Sequence, residues 1–199
     1  MKRICLILLC ISLFLHQGMV VKAEEDLTPT AKSAILIDYA TGEVLYEKNA
    51  DERLAPASMT KIGSMLLIME AIDSGKLSVD DEVTISEEAA SMGGSQIFLE
   101  AGEVYTVHDL LKGVAIASGN DAVVALAEKL AGSQGAFVDM MNERFKELGA
   151  NNTNFVNAHG LDSEGHYSTA RDMATIAREL LKHEKILEYT SIYEEYLEK

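Results

Sequence analysis

Leu54-Ala55-Pro56-Ala57-Ser58-Met59-Thr60-Lys61 runs straight into Ile62, Met65, Leu66, Met69 and Ile72, apolar residues at helical spacing that stop at Gly75. The periodicity predicts a helix with Ser58 at or near its N-terminus. A serine and a lysine three positions apart on a helix share a face and can reach each other. A serine hydroxyl is a weak nucleophile until something takes its proton. A lysine amine can take it when burial and the positive end of a helix keep part of the amine neutral. Ser58 is therefore the candidate nucleophile and Lys61 the candidate general base. Ser-x-x-Lys by itself arises by chance in many chains, and a serine at a helix start is commonly only a cap.

Upstream, Ser33 to Lys48 (SAILIDYATGEVLYEK) holds two short β-rich runs around Ala40-Thr41-Gly42, which predicts a hairpin. One hairpin is marginal alone in water, so its sheet partners are expected outside this chain and residues 24–199 are expected to fold poorly in isolation. Downstream, Leu77 to Glu103 is polar and glycine-bearing, with Gly93-Gly94-Ser95 as its most flexible point. Thr106 and Asp109 resemble a capping box for a helix carrying Leu110, Leu111, Val114 and Ala117. That helix stops at Ser118-Gly119-Asn120. Ala122 to Leu130 and Phe137 to Leu148 predict two more helices, closed by Gly132 and Gly149. Asn151 to Tyr167 is a long turn-rich loop of the kind that carries function. Thr169 and Asp172 then start a last helix bearing Met173, Ile176, Ala177, Leu180 and Leu181.

Ser118-Gly119-Asn120 adds chemistry to the first motif. A second hydroxyl, that of Ser118, can relay a proton to a leaving amine, and the Asn120 amide can bond a substrate backbone or hold Lys61. Taken alone the tripeptide is an ordinary helix-ending turn. His159, Asp162 and His166 could be read as metal ligands, but their spacing fits no zinc signature and serine chemistry needs no metal, so neither metal nor cofactor is expected. Met65 and Met69 read as core filler on a helix face.

The first residues stand apart. Lys2 and Arg3 precede the run Ile4 to Leu15, and Val21-Lys22-Ala23 precedes Glu24-Glu25-Asp26, which predicts a signal peptide over residues 1–23 and an exported protein. The run is twelve residues long, too short to cross a bilayer core of about 30 Å as a helix. Cys10 after Leu8-Leu9 lacks the small neighbours of a lipoprotein signal. Both cysteines, Cys5 and Cys10, lie in this leader, so the remainder can form neither disulfide nor thiolate site. Removing the three basic residues Lys2, Arg3 and Lys22 from 17 leaves 14 against 32 acidic ones, a formal charge of −18. Such a surface repels nucleic acid and anionic lipid headgroups.

Ser-x-x-Lys with Ser-Asp-Asn and Lys-Thr-Gly is the signature of penicillin-binding proteins and class A β-lactamases, and Ser58–Lys61 with Ser118-Gly119-Asn120 resembles its first two parts. The resemblance extends to Ala55–Lys61, to Leu110-Leu111-Lys112-Gly113 with Ala117–Ala122, to Phe155-Val156-Asn157 with His159-Gly160-Leu161, and to His166–Met173. Over residues 30 to 185 the chain resembles the low-molecular-mass serine D-alanyl-D-alanine carboxypeptidases. The resemblance implies an α/β (α+β) fold, an antiparallel sheet flanked by a helical region. It implies an enzyme that removes the terminal D-alanine from peptidoglycan pentapeptide stems through an acyl-enzyme on Ser58, with β-lactam antibiotics as inhibitors, no nucleic acid partner, and membrane association only through a C-terminal anchor. It gives catalytic roles to Ser58, Lys61 and Ser118 and a substrate-binding role to Asn120.

Two departures stand out. No Lys-Thr-Gly occurs in the 199 residues. The family carries that triad on a sheet strand, where it binds the substrate carboxylate and supplies an oxyanion donor worth about 10²- to 10³-fold in rate. The resemblance puts the strand beyond this chain, so residues 24–199 are expected to be a partial catalytic domain of little or no activity. Ala158 stands where proline is more usual. A β-lactamase sharing the fold is a weaker alternative, since the second motif is Ser-Gly-Asn and no Glu-x-x-Leu-Asn follows to supply a deacylating glutamate. A non-catalytic binding protein is the other alternative, favoured by the missing triad.

Overall fold

The computed structural model describes residues 26–194, and the expected signal peptide lies outside them. The chain divides into a unit Met1–Thr30 and a unit Ala31–Lys199, and the second carries all the elements below.

Strands β1 (Ala34–Ile37) and β2 (Val44–Lys48) form the expected antiparallel hairpin, Leu36 opposite Tyr46 and Ile37 opposite Val44 across a bulge. The Asp38 carboxylate makes the turn, accepting both the Thr41 N–H and its hydroxyl at 2.7 Å, while Gly42 takes the positive φ of +79°. Among the described residues no third strand pairs with this hairpin. It rests instead on a helix near the end of the chain, whose Arg178 donates to the carbonyls of Tyr39 and Ala40 in the turn.

A 3₁₀ turn, Ala57–Met59, leads into α1 (Thr60–Asp73). The sequence marks a single apolar stripe on α1, yet the outer stripe members Ile62 and Ile72 are only half buried, and Gly63, Ser64, Leu67 and Ile68 are buried with Met65 and Met69. A helix covered all round is a central helix rather than an amphipathic surface one. Gly63 allows a neighbouring helix in: a Cβ there would lie 2.4 Å from Phe145 Cζ.

Strands β3 (Glu82–Thr84) and β4 (Val104–Thr106) pair antiparallel, with the one-turn helix α2 (Glu87–Ala90) between them. This second sheet is unmarked in the amino-acid pattern, because three-residue strands are too short to show a period of two. α3 (Val107–Ala117) starts from a complete capping box between Thr106 and Asp109. α4 (Asn120–Ala131) and α5 (Gln134–Glu147) follow, each longer at its N-terminus than the periodicity predicted. α6 (Ala170–Leu180) is capped by Thr169, and α7 (Ile186–Thr190) docks on α3 through Tyr189 and His108. Mixed helix and antiparallel strand is the α+β class expected. The core is helical, and α1 packs against α4, α5 and α6.

Candidate active site

Ser58 and Lys61 come together as their spacing requires. The Ser58 hydroxyl is exposed, whereas Lys61 is 3% exposed, and its Nζ lies 3.4 Å from Ser58 Oγ. Nζ also donates to the His159 carbonyl at 2.8 Å. Among the described residues no carboxylate neutralises this buried amine. Burial pushes its pKa down to about 8, which leaves roughly a tenth of it neutral at pH 7. An exposed hydroxyl beside a partly neutral amine is the arrangement needed to pass a proton from oxygen to nitrogen.

The loop 155–161 shapes this pair by running along the first turns of α1. The Ala158 carbonyl accepts from Ser64 Oγ at 2.6 Å and the His159 carbonyl holds Lys61. At the next residue, a Cβ on Gly160 (φ +91°) would lie 1.9 Å from the Ala57 oxygen. Ala57, immediately before the nucleophile, sits at φ +48°, a region that costs a non-glycine residue about 1 kcal/mol or more. The Ala158 N–H, which proline would lack, donates to Gln134 Oε1 at 3.3 Å, so alanine serves the turn here.

Both histidines of the loop are committed to the protein. Nδ1 of His159 accepts from the Leu161 N–H, and its pKa is driven down to about 4 by burial and then by Lys61 and His166. His166 engages both ring nitrogens, Nδ1 with the Val156 N–H and Nε2 with Thr60 Oγ1, and burial lowers its pKa as well. Asp162 is exposed. Among the described residues no three His, Cys, Asp or Glu side chains are grouped to hold a metal.

Ser118 and Asn120 occupy the junction of α3 and α4. Ser118 ends α3 at φ +55° and is half buried, and its hydroxyl makes no protein hydrogen bond among the described residues. Asn120 is 3% exposed, and its amide donates to the Gly93 carbonyl at 2.7 Å while its backbone N–H donates to Ser95. The bonds seen on Lys61 go to Ser58 and His159, so the amide holds the 93–95 segment and not the lysine. Asp121, which sequence reasoning passed over, is 1% exposed and gathers the N–H groups of Ile97, Leu99 and Ala122. The Gly93-Gly94-Ser95 stretch, expected as the loosest point, is thus tied to the head of α4.

A family model described as D-alanyl-D-alanine carboxypeptidase matches residues 19–199. The chain is 61% identical over 176 residues to the D-alanyl-D-alanine carboxypeptidase DacF of Bacillus subtilis, covering 88% of this chain and 45% of that protein. It is 47% identical to DacC of Escherichia coli, covering 76% and 39% respectively. The crystal structure of DacD from Francisella tularensis superposes with a TM-score of 0.81 at 39% identity, over 90% of this chain and 44% of that one. Penicillin-binding protein D2 of Listeria monocytogenes in its ampicillin-bound form superposes at 0.72 with 32% identity, over 81% and 66%. The chain spans less than half the length of these curated relatives.

Proposed function

Because the chain belongs to the D-alanyl-D-alanine carboxypeptidase family, we propose that it carries the nucleophile and proton-handling half of a serine-type D,D-carboxypeptidase. The observation that carries the reading is the buried, uncompensated Lys61 amine beside the exposed Ser58 hydroxyl. Neutral Lys61 takes the Ser58 proton as Oγ attacks the carbonyl between the last two D-alanines of a peptidoglycan stem. Collapse of the tetrahedral intermediate breaks the amide bond. The proton passes from Lys61 through the Ser118 hydroxyl to the departing amine, and free D-alanine leaves an ester on Ser58. Water, deprotonated by Lys61, then hydrolyses the ester and restores the serine.

Asn120 is assigned to substrate binding beside Ser118, and its buried amide fixes the 93–95 segment. β-Lactams, whose strained amide mimics the terminal dipeptide, acylate the same oxygen. The scheme assigns no residue of this chain to the substrate carboxylate. Its substrate lies outside the cytoplasm, in keeping with the acidic surface and the leader-like residues 1–23. Among the described residues no helix is long and apolar enough to cross a membrane.

Intact mass after incubation with penicillin tests this, on the 199-residue chain and on the longest reading frame that contains it. One penicillin mass on the longer form, absent in Ser58→Ala, is the expected result. No adduct on either form would overturn the acyl-transfer reading.

A further inference from the structure

The imidazole of His166 has no part in that scheme, although it lies in the same packed region. It is 5% exposed and stacks on Phe155, ring centroids 4.9 Å apart at 17°. Nδ1 accepts the Val156 N–H at 3.1 Å, so that nitrogen bears no proton in the neutral ring. The proton is then on Nε2, which donates to Thr60 Oγ1 at 2.8 Å. Thr60 is fully buried and stands between Met59 and Lys61 in the first motif. One ring therefore joins the head of α1 to the loop whose next residues deliver the Ala158 and His159 carbonyls to Ser64 and Lys61.

We infer that His166 is a positioning residue for the nucleophile pair: as a two-ended bridge between Thr60 and the 155–161 loop, it keeps the His159 carbonyl seated on Lys61 and water away from the amine. The two ends need opposite roles, an acceptor towards Val156 and a donor towards Thr60. Neutral histidine and glutamine provide both, leucine provides neither. A protonated ring would point a second N–H at the Val156 N–H and release that end. The titratable neighbours are His159 and exposed Asp162 on the same loop and Lys61 on α1, while Phe155 and Val156 bring no charge.

The catalytic consequence rests on the acyl-transfer reading, but the positioning can be measured without it. The full chain is labelled with ¹³C at lysine Cε, Lys61 is assigned by its loss in Lys61→Arg, and its titration is followed in wild type, His166→Leu and His166→Gln. In wild type Lys61 is expected to titrate near 8. In His166→Leu the midpoint should rise by about one pH unit or more, because water reaching the amine restores its charged form. In His166→Gln it should return towards the wild-type value. Penicillin acylation should follow, falling about tenfold in His166→Leu through the acylation rate constant and not through prior binding.

A Lys61 midpoint unchanged in folded His166→Leu overturns the proposal, as does His166→Gln behaving like the leucine variant. Should His166→Leu not fold, Thr60→Val removes only the helix end of the bridge and must displace Lys61 in the same direction; an unmoved midpoint there is equally fatal. If wild type takes up no penicillin, the acyl-transfer reading fails while the Lys61 titration still decides the role of His166.

Discussion

Gly160 and Ala57 meet backbone to backbone: a Cβ on Gly160 would lie 1.9 Å from the Ala57 carbonyl oxygen and 2.9 Å from Thr60 Oγ1. The obstruction is main chain, so no side-chain rotation relieves it, and φ of +91° is strained for any other residue. Gly160→Ala should therefore cost about 3 kcal/mol or more, combining overpacking with backbone strain. Denaturant unfolding measures that loss. A variant as stable as wild type, with penicillin acylation intact, would show that the loop is not pressed on the nucleophile turn.

Lys61 offers a different balance, since a buried amine with no counter-charge among the described residues burdens the fold. Lys61→Met should lower acylation by about 10²- to 10⁴-fold, the span of general-base effects. Thermal stability at pH 7 should hold or rise. Loss of stability in step with activity would mean that the lysine serves mainly as a structural support.

The same amine sets a pH profile. Because its pKa is lowered to about 8, the neutral base accumulates as pH climbs from 6 to 8, and acylation should rise with it and level off above. Rates of penicilloyl-adduct formation across that range provide the check, and a flat profile would exclude Lys61 as the base.

Stability should follow the histidines. His159 is held neutral, its pKa lowered from 6.5 to about 4, and His166 is lowered in the same direction. A group with a depressed folded pKa takes up fewer protons folded than unfolded between those two values, so stability is full above 6.5 and is lost as pH falls through 4. Calorimetric midpoints should drop over that window, less steeply in His159→Asn, which keeps an acceptor for the Leu161 N–H. An equal slope in both proteins would contradict the assignment.

Asp121 ties the 97–99 segment to α4 through two backbone N–H groups, those of Ile97 and Leu99, and also accepts the Ala122 N–H of its own helix. Asp121→Ala leaves those buried donors unmet and should cost about 2–4 kcal/mol. Hydrogen exchange at Ile97 and Leu99 reports it directly, and unchanged protection at those amides would be the contrary result.

What could be read in the sequence was local. Ser-Met-Thr-Lys put the hydroxyl and the amine on one helical face, and Thr106 with Asp109, and Thr169 with Asp172, marked helix starts; the first formed the full capping box, the second only the Thr169 half, its Asp172 carboxylate turning to Asn152 and Thr153. The hairpin was written in its turn residues. The rest depends on chain segments far apart in sequence: Thr60 meets His166 across 106 positions and Lys61 meets His159 across 98, and no periodicity carries such information. β3 and β4 were invisible for want of length. The single stripe assigned to α1 missed its buried back, because apolar periodicity cannot distinguish a helix that faces the core from one the core surrounds.

The atom that steadies Lys61 is the main-chain oxygen of residue 159, and every amino acid supplies one. A library of point substitutions at that position is therefore blind to the contact: it will register the fate of the imidazole and never the removal of the carbonyl. Drift in sequence can exchange the side chain without deleting that oxygen, provided the bond to the Leu161 N–H is replaced and Gly160 keeps the backbone on its path. Insertions, deletions or an ester in place of the amide, changes that redirect or rewrite the chain itself, are the lesions to which this support is open.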